Sequence, residues 1–241
     1  MEARDRIVLA LDVDSSEKAL QLVDELKEHV GVYKIGMQLY NSAGPSIVQK
    51  VNELGGKVFV DLKFHDIPNT VGAAGRVMTR LGAFMFNVHA AGGKEMMMKA
   101  SEEVKKEAGL LGVTPPKMLA VTVLTSISQQ QLQEEMYVSD LSVGDLVKNW
   151  ALMAKEAGMD GVVCSPQEIE VIKRSCGSDF LTVTPGIRPA WAATNDQKRF
   201  TTPSQAMAMG GDYMVIGRPI TGAADPREAA IKIIKELEEN K

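Results

Sequence analysis

Cysteine, histidine and aromatic residues are scarce in this chain. Its 241 residues include 2 Cys and 3 His, and aromatic residues make up 5%. Cys164 and Cys176 do not form a C-x-x-C pair, and the spacing typical of zinc sites is absent. The sequence therefore predicts no metal site and no disulfide framework, and so few cysteines are typical of proteins from a reducing cytoplasm.

Long apolar runs and basic clusters are also missing. No apolar segment approaches the roughly 18 residues that a membrane-spanning helix requires, and no signal peptide is visible before the first apolar strand. Lys and Arg total 27 against 31 Asp and Glu, a net charge of −4. We therefore expect a cytoplasmic protein with no membrane or nucleic-acid partner, which would bind an anion through local charge.

What the sequence does contain is a regular alternation of short apolar runs and longer amphipathic segments. The predicted strands are 7–11, 32–36, 57–62, 85–89, 118–124, 161–164, 181–184 and 213–217. The predicted helices are 17–29, 45–54, 70–81, 94–108, 143–157, 167–174, 203–209 and 225–238. Eight units of about 30 residues each predict one α/β domain over residues 1–241, a (β/α)8 TIM barrel.

Two features of the connections bear on this fold. A doubly wound sheet is the alternative, but it requires a glycine-rich phosphate turn after the first strand, where the chain reads DVDS at 12–15. The connections 125–142 and 186–202 are long and polar. Long loops in compact domains often serve as binding loops or lids, so we expect these two to contact a ligand.

Charged residues recur where the first three predicted strands end. They are Asp12, Lys34, Asp61, Lys63 and, just beyond, Asp66. Alternation along a strand places Asp61 and Lys63 on one side and Leu62 on the other. Buried charges are costly unless they are paired, so the cluster is either an ion-pair network that fills the barrel end or a catalytic site. Its position at the rim used for catalysis in such barrels favours the second interpretation.

A second polar group follows the last two strands. The sequence reads PGIR at 185–188 and GRP at 217–219. Glycine allows a ligand to approach the backbone, and an arginine offers two parallel hydrogen bonds to phosphate. GRP alone could equally be a surface turn. Because phosphate sites of barrels commonly use the loops after strands seven and eight, the pair of motifs favours a phosphate site.

The segment DLKFHDIPNT at 61–70 resembles the orotidine 5′-phosphate decarboxylases of the short bacterial type. Its D-x-K-x-x-D core followed by I-P-N-T is highly specific. The resemblance covers the chain from LALD at 9–12 to VIGRP at 215–219, and includes VLTS at 123–126 and TPGIR at 184–188. It implies conversion of orotidine 5′-monophosphate to uridine 5′-monophosphate without a cofactor, by a homodimer of (β/α)8 barrels whose active sites lie at the subunit interface.

The resemblance also assigns roles to residues around the predicted reacting centre. Lys63 resembles the proton donor, and Lys34, Asp61 and Lys63 resemble three members of a charge tetrad. Asp66 resembles the fourth member, which the family supplies from the partner subunit together with Ile67 and Thr70.

The remaining matched positions resemble contacts to other parts of the nucleotide. Asp12 and Lys34 resemble ribose contacts, whereas Thr125 and Ser126 match the loop on the pyrimidine side. The other expected substrate-binding residues, mostly at the phosphate end, are Pro185, Arg188, Gln197, Gly217 and Arg218, with Gln197 on a loop that closes over the substrate.

Two rival functions are also compatible with these motifs. Metal-dependent keto-sugar-phosphate decarboxylases share the D-x-K-x-x-D core but place a carboxylate metal ligand after strand two. Strand two of this chain carries Lys34, which furnishes a metal site poorly. A non-catalytic barrel that binds a phosphorylated ligand is the other. It would not need a proton donor, so the presence of Lys63 beside Asp61 and Asp66 argues against it.

Overall fold

The computed structural model describes residues 1–192 and 201–239. Eight parallel strands pair in chain order, and the last pairs with the first to close a barrel. The strands are β1 (Ile7–Ala10), β2 (Val32–Gly36), β3 (Lys57–Phe64), β4 (Met85–His89), β5 (Lys117–Val121), β6 (Gly161–Val163), β7 (Leu181–Thr184) and β8 (Tyr213–Ile216). The predicted (β/α)8 barrel is confirmed.

Helices surround this barrel. The described ones are α1 (Ser16–Leu26), α2 (Met37–Ala43), α3 (Ser46–Glu53), α4 (Pro68–Arg80), α5 (Gly93–Leu111), α6 (Gln129–Glu134), α7 (Val143–Glu156), α8 (Ile169–Cys176), α9 (Pro203–Ala208), α10 (Arg218–Thr221) and α11 (Pro226–Glu239). Several begin at a side-chain cap, such as Ser15, whose hydroxyl accepts a hydrogen bond from the Lys18 N–H. None of the described helices combines the length and apolarity needed to cross a membrane.

Because successive side chains along each strand point to opposite sides, the apolar residues form two layers, one inside the barrel and one between the barrel and the helices. Inside the barrel lie Val8, Val32, Phe59, Met85, Leu119, Val183 and Tyr213. The neighbouring strand positions, such as Ile7, Leu9, Val58 and Val60, pack outward against the helices. Two residues beyond Val32 and Phe59 the same inward side is occupied by Lys34 and Asp61, so the alternation that builds the core also directs these charges into the barrel mouth.

Several connections differ from the sequence-based prediction. Residues 37–43 form helix α2, which is absent from the prediction. The loop predicted at 125–142 contains helix α6, whose N-terminus has a capping box between Ser128 and Gln131. The prediction that strand five extends to residue 124 is wrong. Because β5 ends at Val121, Thr125 and Ser126 lie in the following loop rather than at the strand end.

Candidate active site

A cavity of about 220 Å³ opens at the carboxyl end of the strands. Its lining combines apolar side chains from the barrel interior with charged side chains of β2 and β3. The polar or loop residues that line it are Lys34, Asp61, Lys63, Thr125, Ser126 and Pro185. The structure thus brings six of the predicted site residues together around one space.

The charges in this cavity form a chain of alternating sign. The Nζ of Lys63 lies 2.6 Å from Oδ1 of Asp61, and the Nζ of Lys34 lies 3.4 Å from Oδ2 of the same carboxylate. Lys34 also contacts Oδ1 of Asp12 at 3.3 Å. Asp61 therefore stands between two ammonium groups, with only 15% of its side chain exposed.

This arrangement keeps Asp61 ionised. Burial alone would raise the pKa of its carboxyl group, but the charges of Lys34 and Lys63 and the hydrogen bonds from Lys63 and Asn87 outweigh that effect. The pKa of Asp61 is consequently lower than that of an ordinary aspartate. The carboxylate can therefore hold two cations at neutral pH without taking up a proton.

The strand that carries Asp61 and Lys63 is irregular at this point. Val60 pairs with Phe86 and Phe64 pairs with Val88, so residues 61–63 of β3 lie against one residue of β4, Asn87. Lys63 adopts a φ of 54°, a left-handed conformation that costs a non-glycine residue of the order of 1–3 kcal/mol. Asp61 and Lys63 meet in the cavity as expected, and the strand that carries them departs from regular pairing with β4 over these residues.

Asn87 is a site residue that the sequence analysis missed. Its side chain is fully buried; its Oδ1 accepts a hydrogen bond from the Lys63 N–H at 2.8 Å, and its Nδ2 donates to Asp61 Oδ1 at 2.7 Å. The signal available in the sequence was one amide inside the otherwise apolar run MFNV at 85–88, on the inward side of the strand. A buried polar side chain in that place needs partners, and the charged strand beside it supplies them.

The structure does not bring Asp66, Ile67 and Thr70 to the charges of the same chain. All three are exposed at the start of α4. Oδ1 of Asp66 accepts a hydrogen bond from the Ile67 N–H at 2.7 Å, and Asp66 is not among the ion-pair partners of Lys63 in the described residues. The Ile67 side chain is 67% exposed, which is unusual for a large apolar residue.

Two of the predicted phosphate residues line a separate depression of about 280 Å³. Arg188 and Arg218 line it together with Trp191, and Gly217 immediately precedes the short helix α10. The Arg188 N–H donates to the Thr201 carbonyl oxygen, which ties the two described ends of this long loop together. Gln197 lies outside the described residues.

Within residues 1–192 and 201–239, no group of three or more His, Cys, Asp or Glu is arranged to hold a metal ion.

The chain matches the model of the orotidine 5′-phosphate decarboxylase / HUMPS family over residues 5–233. The chain belongs to this family.

Individual relatives agree with this assignment. The chain is 67% identical over 239 residues to orotidine 5′-phosphate decarboxylase of Syntrophomonas wolfei, an alignment that covers 99% of this chain and 100% of that protein. It is 49% identical to the enzyme of Heliobacterium modesticaldum, covering 99% and 98%. The crystal structure of orotidine 5′-phosphate decarboxylase from Lactobacillus acidophilus superposes with a TM-score of 0.85 at 40% identity, covering 96% of this chain and 98% of that one.

The pairing of Asp61 should make stability depend on pH in a defined direction. Because its pKa is lowered in the folded chain, the ionised carboxylate stabilises the fold above the unfolded-state pKa of about 4, and this contribution is lost as the pH falls through the folded-state pKa. Asp61→Asn leaves two ammonium groups facing each other. We expect it to lower the free energy of unfolding by about 2 kcal/mol at neutral pH.

Urea unfolding of both proteins at pH 7 and at about pH 3 measures this difference, which should shrink at the acidic pH. Asp179→Asn, at an exposed turn, is the control and should change stability by less than about 0.5 kcal/mol. A deficit for Asp61→Asn that grows as the pH falls would contradict the assignment.

Proposed function

We propose that this site converts orotidine 5′-monophosphate to uridine 5′-monophosphate and carbon dioxide, with Lys63 as the proton donor. The proposal rests chiefly on one observation: the ammonium group of Lys63 lies 2.6 Å from a mostly buried carboxylate in the cavity at the barrel mouth. Family membership and full-length relatives with this named activity support it. The whole chain, residues 1–241, then acts as one catalytic domain in cytoplasmic pyrimidine synthesis.

The chemistry requires a cation beside one carbon atom. The bond between C6 of the pyrimidine ring and its carboxylate breaks, carbon dioxide leaves, and the electron pair stays on C6. The ring does not delocalise this charge well, so the site must stabilise it electrostatically. One ammonium contact at about 4 Å, with an effective dielectric near 20, contributes roughly 4 kcal/mol. Lys63 then transfers a proton from Nζ to C6, which completes the product.

Only the part of this interaction that strengthens as charge develops accelerates the reaction. Asp61 serves that purpose because it holds Lys63 in place before the substrate carboxylate has left. Lys34 and Asp12 continue the same chain of charges, and we assign them to the ribose of the substrate. Thr125, Ser126 and Pro185 line the cavity where the pyrimidine ring would lie.

Binding of the distant phosphate is the second source of acceleration. Arg188 and Arg218 face one depression after β7 and β8, where two guanidinium groups can bind a phosphate together. We assign Gly217 and Gln197 to the same end of the substrate. Binding energy gained there can hold the ring against Lys63 and exclude water when the loop closes.

We further propose a homodimer in which Asp66, Ile67 and Thr70 act on the partner subunit's site. Three observations support this: the three residues are exposed, Asp66 does not pair with Lys63 of its own chain, and Ile67 presents an apolar side chain to the outside. In such a dimer, Asp66 would supply the second carboxylate beside Lys63.

Lys34 on β2 argues against the metal-dependent rival. That reaction needs a carboxylate ligand after this strand, whereas β2 carries an ammonium group that is paired with Asp12 and Asp61. An ammonium group in this place repels a divalent cation. We therefore propose that the reaction uses no cofactor.

Lys63→Ala tests the proton donor. It removes both the electrostatic contact and the proton, so we expect turnover of orotidine 5′-monophosphate to fall by at least about a thousandfold, as followed by absorbance. Circular dichroism should show an intact fold, and calorimetry should still detect uridine 5′-monophosphate binding. Lys50→Ala, on the exposed side of α3, is the control. Turnover within a few-fold of the parent would rule out the role of Lys63.

Arg218→Ala tests the phosphate site. Loss of one charged hydrogen-bonding group should weaken uridine 5′-monophosphate binding by about 100-fold and leave uridine binding nearly unchanged, as measured by calorimetry. Arg227→Ala, on α11 next to His29, should change neither affinity. Equal losses for nucleotide and nucleoside would place the phosphate elsewhere.

Mixing two inactive variants tests the shared site. In a hybrid of Lys63→Ala and Asp66→Asn subunits, one of the two sites contains an intact Lys63 and an intact Asp66 from different chains. Random reassortment should therefore restore about one quarter of the parental activity. If Asp66 acts within its own chain, both sites of the hybrid remain defective and no activity returns.

A further inference from the structure

Asn87 is the fully buried residue that connects the two catalytic charges. It lies on the inward side of β4, between Met85 and His89. Its amide oxygen accepts from the Lys63 N–H at 2.8 Å, and its amide nitrogen donates to Asp61 Oδ1 at 2.7 Å. The backbone N–H can only donate and the carboxylate only accepts, so the two partners fix which way the amide points.

The first of these bonds replaces a missing backbone contact. Because β3 and β4 lose their regular pairing between Val60 and Phe64, the Lys63 N–H is bonded to a side chain instead of a strand carbonyl. Lys63 and Tyr137 are the only non-glycine residues with positive φ in the described part of the chain. Tyr137 lies on an exposed loop, whereas Lys63 lies within a strand, where the surrounding structure must hold this conformation.

The second bond fixes the carboxylate. Oδ1 of Asp61 accepts from both Asn87 Nδ2 and Lys63 Nζ, while Oδ2 faces Lys34 at 3.4 Å. Each oxygen of the Asp61 carboxylate therefore faces a different ammonium group. Rotation of the carboxylate would break the contact with the buried amide, so the Lys63 ammonium group has one preferred position.

We propose that Asn87 is a positioning residue for the decarboxylation, and that it holds the left-handed backbone of Lys63 and the carboxylate of Asp61 together so that the ammonium group meets C6. This inference rests on the proposed function. The role requires a neutral group of this size that donates on one side and accepts on the other. Leucine fills a similar volume without either bond. Aspartate can reproduce both bonds only when it carries a proton.

Three variants separate positioning from mere stabilisation. For Asn87→Leu we expect kcat to fall by about 10- to 100-fold, with KM and uridine 5′-monophosphate affinity within about threefold, because Lys63 is misplaced while the other substrate contacts remain. Asn52→Leu is the matched control. The Asn52 amide also bonds the backbone, at Leu81 and Gly82, but lies away from the cavity, so its loss should lower thermal stability without changing kcat.

Asn87→Asp gives the sharper test. Two adjacent carboxyl groups share a proton, which raises the pKa of the pair. When the carboxyl group introduced at position 87 is protonated, its O–H can donate to Asp61 and its carbonyl oxygen can accept from Lys63, as the amide does. The ratio of the kcat of Asn87→Asp to that of the parent should therefore rise by at least about tenfold between pH 8 and pH 5.

The outcomes are distinguishable. No turnover by the parent would overturn the proposed function and this inference with it. An active parent with a pH-independent ratio for Asn87→Asp, or a folded Asn87→Leu with parental kcat, would overturn the role of Asn87 alone. If Asn87→Leu does not fold, the pH dependence of Asn87→Asp still decides, because a purely structural amide would not couple kcat to the protonation of the group at position 87.

Discussion

The site depends on one mostly buried carboxylate that is shared by two ammonium groups. Burial raises the pKa of the Asp61 carboxyl group, and Lys34 and Lys63 offset that effect; in turn, the carboxylate pairs with both ammonium groups in a cavity lined largely by apolar side chains. Each ion compensates the desolvation of its neighbours. The cluster is thereby fixed before any substrate arrives, so little reorganisation is needed when charge develops on the ligand.

This arrangement has a structural cost, which is concentrated in β3. A regular strand would continue the pairing with β4, but residues 61–63 of β3 instead lie against the single residue Asn87, and Lys63 has a positive φ. Asn87 compensates by supplying an acceptor where the backbone supplies none. The barrel tolerates the irregularity because it lies at the end of the strand, above the packed layer that contains Phe59 and Met85.

The fold also separates the charged cavity from the depression that the two arginines line. The cavity is lined by charged residues of β2 and β3 and by the loop after β5, whereas Arg188 and Arg218 follow β7 and β8. A ligand with a reactive ring at one end and a phosphate at the other can contact both regions. Under the proposed function, this separation would let the phosphate be bound strongly without strong binding of the ground-state ring, which is the condition under which binding energy increases the rate.

The sequence alone determined the eight alternating units, the positions of the charges at strand ends and the two arginine loops, because apolar periodicity and local motifs do not need long-range information. It did not reveal α2, the early end of β5, the distortion of β3 or the hydrogen bonds of Asn87. The partners of the Asn87 amide are the N–H of Lys63, which lies 24 residues earlier in the sequence, and the carboxylate of Asp61. Both lie on a neighbouring strand, so the amide alone gives no sign of them. Only the closed barrel decides that pairing, because register and side-chain partners across strands are properties of the assembled sheet.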